Sequence, residues 1–167
     1  MRVFHFTLLW TVVVDCIAWF LIHMGVSYIM TQMRLEYFNP QSWIFRRRGL
    51  ENDGRIYEGI FFVKKWKSLL PEGAVLFAQG FRKKRLKGKN TEYFRMFVAE
   101  TCRSEGVHWV TMIFAPLFFL WNPFWVGVSM MLYAVIVNAP CIITQRYNRI
   151  RLERVLPKGI ENENFVR

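Results

Sequence analysis

Residues 107–144 read VHWVTMIFAPLFFLWNPFWVGVSMMLYAVIVNAPCIIT. The stretch has no Lys, Arg, Asp or Glu, and His108 is its one titratable group apart from Tyr133 and Cys141. A run this long and this free of charge belongs in hydrocarbon, where about 20 apolar residues cross a core of about 30 Å. Trp121-Asn122-Pro123-Phe124-Trp125 divides it. Asn-Pro initiates turns, and tryptophans gather where membrane meets water. The division predicts a helical hairpin, Val107–Trp121 followed by Phe124–Thr144. The first arm is short, about 22 Å at 1.5 Å per residue, so it stands nearly upright in a thinned bilayer or is partly re-entrant. Pro116 and Pro140 are expected to bend the two arms.

Working outward, a second apolar run extends from Val3 to Met30, interrupted by Asp15 and His23. It is too long for the apolar core of a signal peptide, and its end, Ser27-Tyr28-Ile29-Met30, offers no small-x-small cleavage site. One arginine precedes the run and 16 Lys/Arg follow it between Arg34 and Arg103. That asymmetry predicts an uncleaved anchor with its N-terminus outside. Asp15 and His23 are expensive at membrane depth and are expected to face other helices or a polar cavity.

The polar remainder completes the topology. Of 167 residues 53% are hydrophobic and 17% aromatic, and the net charge is +11; soluble domains average about 45–50% apolar. All but Arg2 of the 23 Lys/Arg lie in the block 34–106 or in the tail after residue 144. The expected arrangement is N-terminus out, middle block in, hairpin tip out and tail in. In the middle block, aromatic and apolar clusters adjoin basic ones, as in Trp43-Ile44-Phe45 before Arg46-Arg47-Arg48 and Ile60-Phe61-Phe62-Val63 before Lys64-Lys65-Trp66-Lys67. Such helices suit the headgroup layer. Arg82–Lys89 is a basic loop, and Thr91–Ser104 reads as an amphipathic helix interrupted by Gly106. The predicted fold is therefore an all-α integral membrane protein of about three transmembrane helices, with interfacial amphipathic helices on the cytoplasmic side. Its segments are an anchor (1–33), a basic interfacial segment (34–106), a hairpin (107–144) and a basic tail (145–167).

Several classes drop out. The positive charge is accounted for by the cytoplasmic-side rule and anionic lipid rather than by nucleic acid. Cys16, Cys102 and Cys141 are too far apart for a disulfide framework or zinc spacing, the histidines are scattered, and no metal is expected. Gly88-Lys89-Asn90-Thr91 has the wrong glycine spacing for a P-loop. No Gly-x-Ser-x-Gly, no His-x-x-x-x-Asp and no Gly-x-Gly-x-x-Gly occurs.

The topology brings three chain ends to the cytoplasmic face, near Cys102, His108 and Cys141. Asn138, Cys141, Gln145, Asn148 and Arg149 recur at spacings of three and four, one helix face running from lipid to cytosol. Asn138 at membrane depth is either an interhelical clamp or part of a cavity wall. His108 takes and gives protons near neutral pH, with an interfacial anchoring role beside Trp109 as the plain alternative. Glu100 suits the task of orienting a histidine. Yet eight helical positions, about 12 Å, separate it from His108, so the two meet only if Gly106 breaks the helix; otherwise it pairs with Arg103. The run Arg146, Arg149, Arg151, Arg154 suits a phosphate or marks the positive-inside signal. A nucleophilic role for Cys102 or Cys141 is weighed against ordinary packing.

Glu100-Thr101-Cys102-Arg103, His108-Trp109, Leu120-Trp121-Asn122-Pro123 and the block from Asn138 to Arg151, with Gly54-Arg55-x-Tyr57-Glu58, Trp66-Lys67 and Pro71, resemble the glycosyl-4,4'-diaponeurosporenoate acyltransferases. These membrane enzymes end staphyloxanthin-type carotenoid synthesis in Gram-positive bacteria. The likeness covers most of residues 39–152. It implies transfer of a fatty acyl group to a sugar hydroxyl of a glycosylated C30 carotenoid acid, with an acyl-CoA or acyl carrier protein as co-substrate, no cofactor, and the bacterial cell membrane as location. Chemistry then suggests His108 as base, Glu100 as its orienter, and Asn138 or Gln145 as oxyanion donors. Cys141, Arg146, Asn148, Arg149 and Trp109 are the expected substrate-binding residues. A small three-span enclosure makes a homo-oligomer or a partner protein plausible. The competing readings are a non-catalytic membrane subunit that binds lipid or steadies a biosynthetic partner, and a reductase or methyltransferase, which would need a nucleotide site.

Overall fold

The computed structural model describes residues 4, 6–70 and 91–154. The basic loop Arg82–Lys89, Pro71 and the tail from residue 155 lie outside the described residues. Among the described residues every regular element is helical: α1 (Leu8–Gln32), α2 (Arg55–Gly59), α3 (Val63–Trp66), α4 (Thr91–Ile113) and α5 (Phe124–Glu153), with short 3-10 turns at Leu35–Tyr37, Gly49–Gly54, Lys67–Leu69 and Ala115–Leu120.

Among the described residues two helices, α1 and α5, are long and apolar enough to cross a membrane. At 1.5 Å per residue they measure about 37 Å and about 45 Å, against a core of about 30 Å. Leu8, Leu9, Phe20, Leu21 and Ile29 of α1 and Phe124, Trp125, Leu132 and Ile136 of α5 are exposed. Contiguous apolar surface of this kind is a liability in water and the ordinary outer side of a helix in lipid. The chain is a membrane protein on this account. What α1 buries is a narrow seam, Asp15, Trp19 and Val26 at helical spacing. Trp19 stacks on Phe118 with ring centroids 4.5 Å apart, and its indole N–H points at the Met130 sulfur at 3.4 Å.

The first arm of the expected hairpin begins earlier than predicted. Val107–Trp121 is not a separate arm, because α4 runs unbroken from Thr91 through Gly106 to Ile113 and includes the predicted amphipathic stretch. Gly106 serves close approach instead of a break: a Cβ there would lie 2.9 Å from the Met30 Cε and 3.5 Å from Phe45 Cζ. The helix ends where Pro116, in the first turn of the following 3-10 segment, removes a donor and disfavours the α-conformation at Ala115. Pro140, by contrast, sits inside α5 without ending it.

Three pairs fix α4 and α5 as antiparallel neighbours: Cys102 with Arg149, Glu105 with Arg146, and His108 with Asn138. The arm formed by α4 and the 3-10 turn after it stands beside α1 at both ends. Arg103 donates to the Thr31 carbonyl at 3.3 Å at one end, and the Phe4 N–H donates to the Leu120 carbonyl at 3.2 Å at the other. Near that second end Asp15 accepts from Trp121 Nε1 at 2.7 Å and Asn122 Nδ2 at 2.8 Å. Asp15 thus faces its neighbours, as its cost at membrane depth requires.

The segment 34–70 covers the polar third of α5. Tyr57 and Val63 bury against Tyr147 and Ile150, while Phe38 and Phe45 pack with Cys102 and Met30. Among its other apolar residues, Trp43, Leu50, Ile60, Phe61, Phe62 and Leu69 are exposed.

Candidate active site

His108 and Asn138 come together across the α4–α5 seam, with Nδ1 of the histidine 2.8 Å from Oδ1 of the amide. Asn138 is fully buried, and its Nδ2 donates to the Ala134 carbonyl one turn earlier at 2.8 Å. Turning the amide over would set oxygen against oxygen, so that bond fixes which end faces the ring. Oδ1 accepts, Nδ1 therefore carries the proton, and the basic lone pair of the neutral imidazole is on Nε2. An amide that holds a histidine in one tautomer leaves the opposite nitrogen to act as a base.

One turn toward the polar end lies a buried ion network. Glu105, with no exposed side-chain surface, meets Arg146 through Oε1 at 2.7 Å and Arg149 through Oε2 at 2.7 Å. Arg146 also reaches Glu51 at 3.0 Å and the Ile44 carbonyl at 2.6 Å. Arg149 reaches the Phe45 carbonyl at 2.8 Å and the Cys102 sulfur at 3.6 Å. Tyr57 donates to Glu51 at 2.5 Å and the Arg48 N–H donates to it at 2.6 Å. Burial alone would push the Glu51 carboxyl up, but these donors and Arg146 outweigh it and hold the group below its ordinary value. Burial and the Glu51 carboxylate raise the Tyr57 phenol. Two carboxylates and two guanidiniums close on one another, stapling the segment 44–57 to α4 and α5. Such a network contributes little net stability when whole, but breaking it leaves uncompensated charge.

The remaining predicted residues distribute as follows. Glu100 pairs with Arg103 on the next turn, and the unbroken helix keeps it about 12 Å of axial rise from His108. It is therefore not brought to the histidine, which meets Asn138 instead. Trp109 donates its indole N–H to Glu105 at 3.1 Å. The polar stripe of α5 divides between two neighbours: Asn138 and Arg149 face α4, whereas Asn148 accepts from Lys67 at 3.3 Å. Eleven positions return a helix to nearly the same face, while ten stop about 80° short. Gln145 keeps a buried carboxamide oxygen with no hydrogen-bond partner among the described residues, as do the Thr111 and Thr144 hydroxyls. Cys102 is buried and its thiol is pushed up to about 12, chiefly by burial, so it is no thiolate at neutral pH. The half-buried Cys141 places its sulfur 3.9 Å from the Val137 carbonyl, an ordinary turn-back contact within α5.

Sequence reasoning missed Glu105 and Glu51, and gave Tyr57 no role beyond its place in the Gly54-Arg55-x-Tyr57-Glu58 motif. A hint existed for Glu105: a lone carboxylate three residues before His108, at the border of the charge-free run. Nothing local foretells that its partners are 41 and 44 positions away.

The model of the glycosyl-4,4'-diaponeurosporenoate acyltransferase family matches residues 40–158, which contain every element of this site. Relatives of that name from Staphylococcus aureus strains USA300 and NCTC 8325 are 31% identical over 138 residues, covering 83% of this chain and 83% of theirs. The relative from the bovine strain RF122 is 30% identical over the same length. No solved structure matches. The chain belongs to the glycosyl-4,4'-diaponeurosporenoate acyltransferase family, and it is an acyltransferase.

Proposed function

We propose that this protein moves a fatty acyl group from a carrier-linked thioester, an acyl-CoA or an acyl carrier protein, to a sugar hydroxyl of a glycosylated C30 carotenoid acid or a related glycolipid. Three features support the reading: the family, the lipid-facing helices, and the His108–Asn138 pair at 2.8 Å. The last carries the most weight, because it presents a base at the seam between membrane helices.

His108 Nε2 takes the proton of the sugar hydroxyl as its oxygen attacks the thioester carbonyl. The tetrahedral intermediate collapses, the carbon–sulfur bond breaks, and the leaving thiolate takes the proton back from the imidazolium. An oxygen ester and a free thiol result, and no cofactor enters the balance. Asn138 acts as a positioning residue, since its amide oxygen is on His108 and its NH2 is on Ala134. Gln145, with its buried unpartnered oxygen, suits a hydroxyl of the acceptor sugar.

The topology follows the same reading. The arm from Arg103 to Leu120 spans the height of α1, so it crosses wherever α1 crosses, as a third span made of helix and 3-10 turn. The positive-inside rule puts the N-terminus outside and Lys64, Lys67, Arg146 and Arg149 in the cytoplasm. Exposed Trp43, Ile60, Phe61 and Phe62 beside Arg48, Lys64 and Lys65 then lie in the headgroup layer.

The test uses membranes containing the chain, a glycosylated C30 carotenoid acid and a labelled acyl donor, with mass spectrometry of the ester. Wild type is expected to form it. Full activity in a folded His108→Ala variant would discard the base, and no ester from wild type with either donor would discard the acceptor.

A further inference from the structure

The cations on the polar end of α5 are of two kinds. Arg146 and Arg149 are matched by Glu51, Glu105 and backbone carbonyls. Lys67 and Arg151 lie instead against the Tyr147 ring. The Lys67 ammonium lies 4.9 Å from the centroid of the Tyr147 ring and 3.3 Å from Asn148 Oδ1. The Arg151 guanidinium carbon lies 5.6 Å from the same ring. Neither cation has a carboxylate partner within ion-pair distance among the described residues.

The nearby carboxylate is Glu58, and it is already engaged by Lys64 at 2.7 Å and by the Tyr147 hydroxyl at 2.8 Å. Lys64, Lys67 and Arg151 thus set three positive charges about one phenol against one negative. The crowding is felt: burial first, then Arg151 and Lys64, hold the Lys67 ammonium below its ordinary value. An anion seated there would relieve the repulsion. An arginine fork, an ammonium and a carboxamide are together the donor set that a phosphate uses.

We propose that Lys67, Arg151 and Asn148 form a phosphate-binding site at the polar end of α5, and that its ligand is the phosphate of the acyl donor's carrier arm. The proposal rests on the acyl-transfer reading above and names where the donor is held. A phospholipid headgroup offers the same chemistry, but distance separates the two sources. Asn138 and Arg151 are thirteen positions apart on α5, about 20 Å along its axis. In a phospholipid the phosphate and the acyl ester are near neighbours. In a carrier-linked thioester they stand at the two ends of an extended arm, as this separation demands.

The probe is 4'-phosphopantetheine, the piece common to both donor types, titrated against the full chain in phosphatidylcholine nanodiscs. Charge-assisted bonds of this kind are worth about tenfold each, so Lys67→Gln and Arg151→Gln are each expected to weaken binding about tenfold and together roughly a hundredfold. Pantetheine, which lacks the phosphate, should bind wild type as weakly as 4'-phosphopantetheine binds the double variant, and the double variant should not distinguish the two. Arg34→Gln, an exposed cation paired with Glu36, should change nothing. Equal binding of the two probes by wild type, or binding indifferent to both substitutions, would overturn the site. Binding that appears only as retention of phosphatidylglycerol, lost in the double variant, would keep the cations and overturn the donor. Because His108→Ala should leave phosphopantetheine binding intact, this result is read separately from transfer. A wild type that binds the probe but esterifies no carotenoid glycoside would sink the acceptor assignment alone.

Discussion

Two polar clusters sit in the apolar part of this bundle, and they differ in the chemistry of the groups they hold. At one end Asp15 receives hydrogen bonds from Trp121 and Asn122, clamping the turn before α5 to α1. Toward the other end His108 meets Asn138 through Nδ1, and the accepting amide sets the tautomer of the ring. Both clusters place ionisable groups where they are expensive. The first uses its carboxylate to satisfy two donors that the turn would otherwise bury unpaired. The second sets an imidazole against a buried amide, the pair in which the proposed function places its base. Polarity at membrane depth is therefore not by itself a sign of catalysis; a titratable ring held in one orientation is the better sign.

The contrast predicts opposite phenotypes for the two ends. His108→Ala should lower ester formation per folded molecule by about 10²–10⁴-fold, the usual contribution of a general base, with a stability loss of about 1–3 kcal/mol from the buried Asn138 oxygen it leaves unpaired, too small to account for the lost turnover. A variant that loses folded protein in step with activity would make His108 a structural residue like Asp15. Conversely, Asp15→Leu leaves the Trp121 and Asn122 donors unpaired and should destabilise by about 2–4 kcal/mol. Turnover of the remaining folded fraction should hold. If turnover falls as far as with His108→Ala, the two ends are one functional unit and the comparison fails.

Asn138→Ala sharpens the same contrast. Its role acts through His108, so kcat should fall roughly tenfold to a hundredfold while KM for both substrates stays near wild type. Asn138→Asp, which restores an acceptor for Nδ1–H, should recover part of the loss. A rise in KM alone would mean that the amide binds substrate instead.

The closed network beside the site makes a prediction in pH. Glu51 has a folded pKa below its unfolded value, so its contribution to stability is present above the ordinary carboxyl value of 4.5 and disappears as pH falls through the depressed folded value. Tyr57 has a raised folded pKa, so its contribution is present below the ordinary 10.0 and fades as pH rises beyond it. Thermal unfolding followed against pH should give a plateau between these limits. Glu51→Gln should flatten the acid limb, and Tyr57→Phe the alkaline one. An acid limb unchanged in Glu51→Gln would remove Glu51 from the network's pH response.

Much of this architecture is legible in the sequence, for reasons that can be named. The apolar runs, the turn at Asn122-Pro123 and the amphipathic spacing of Tyr93, Phe94, Phe97 and Val98 are local signals, and each reappears as structure. His108 and Asn138 are singled out by their chemistry in an apolar setting, and the fold brings them together. What local reading misplaced depends on contacts between distant segments. Glu100 looked like the orienter because it is near in sequence, whereas the side chain that meets His108 is 30 positions away. Arg146 and Arg149 looked available for phosphate because Glu105 and Glu51 are invisible as partners until α4, α5 and the segment 44–57 are folded.

Gly106 tests the finest point of that lesson, with the smallest effect. A glycine between a polar helix and an apolar run suggests a hinge, and a hinge would need its backbone freedom. In the structure it lies inside α4 with helical geometry, and its use is to let Met30 and Phe45 approach. Gly106→Ala should then gain up to about 1 kcal/mol of helix propensity against the cost of moving the Met30 methyl, the far end of a flexible side chain. The two nearly cancel, and both unfolding and turnover should stay close to wild type. The double change Gly106→Ala with Met30→Ala relieves the contact and should be no less stable than Met30→Ala alone. A large loss of turnover in the folded single variant, unrelieved by Met30→Ala, would show that motion at Gly106 matters, and would reopen the hinge that the unbroken helix excludes.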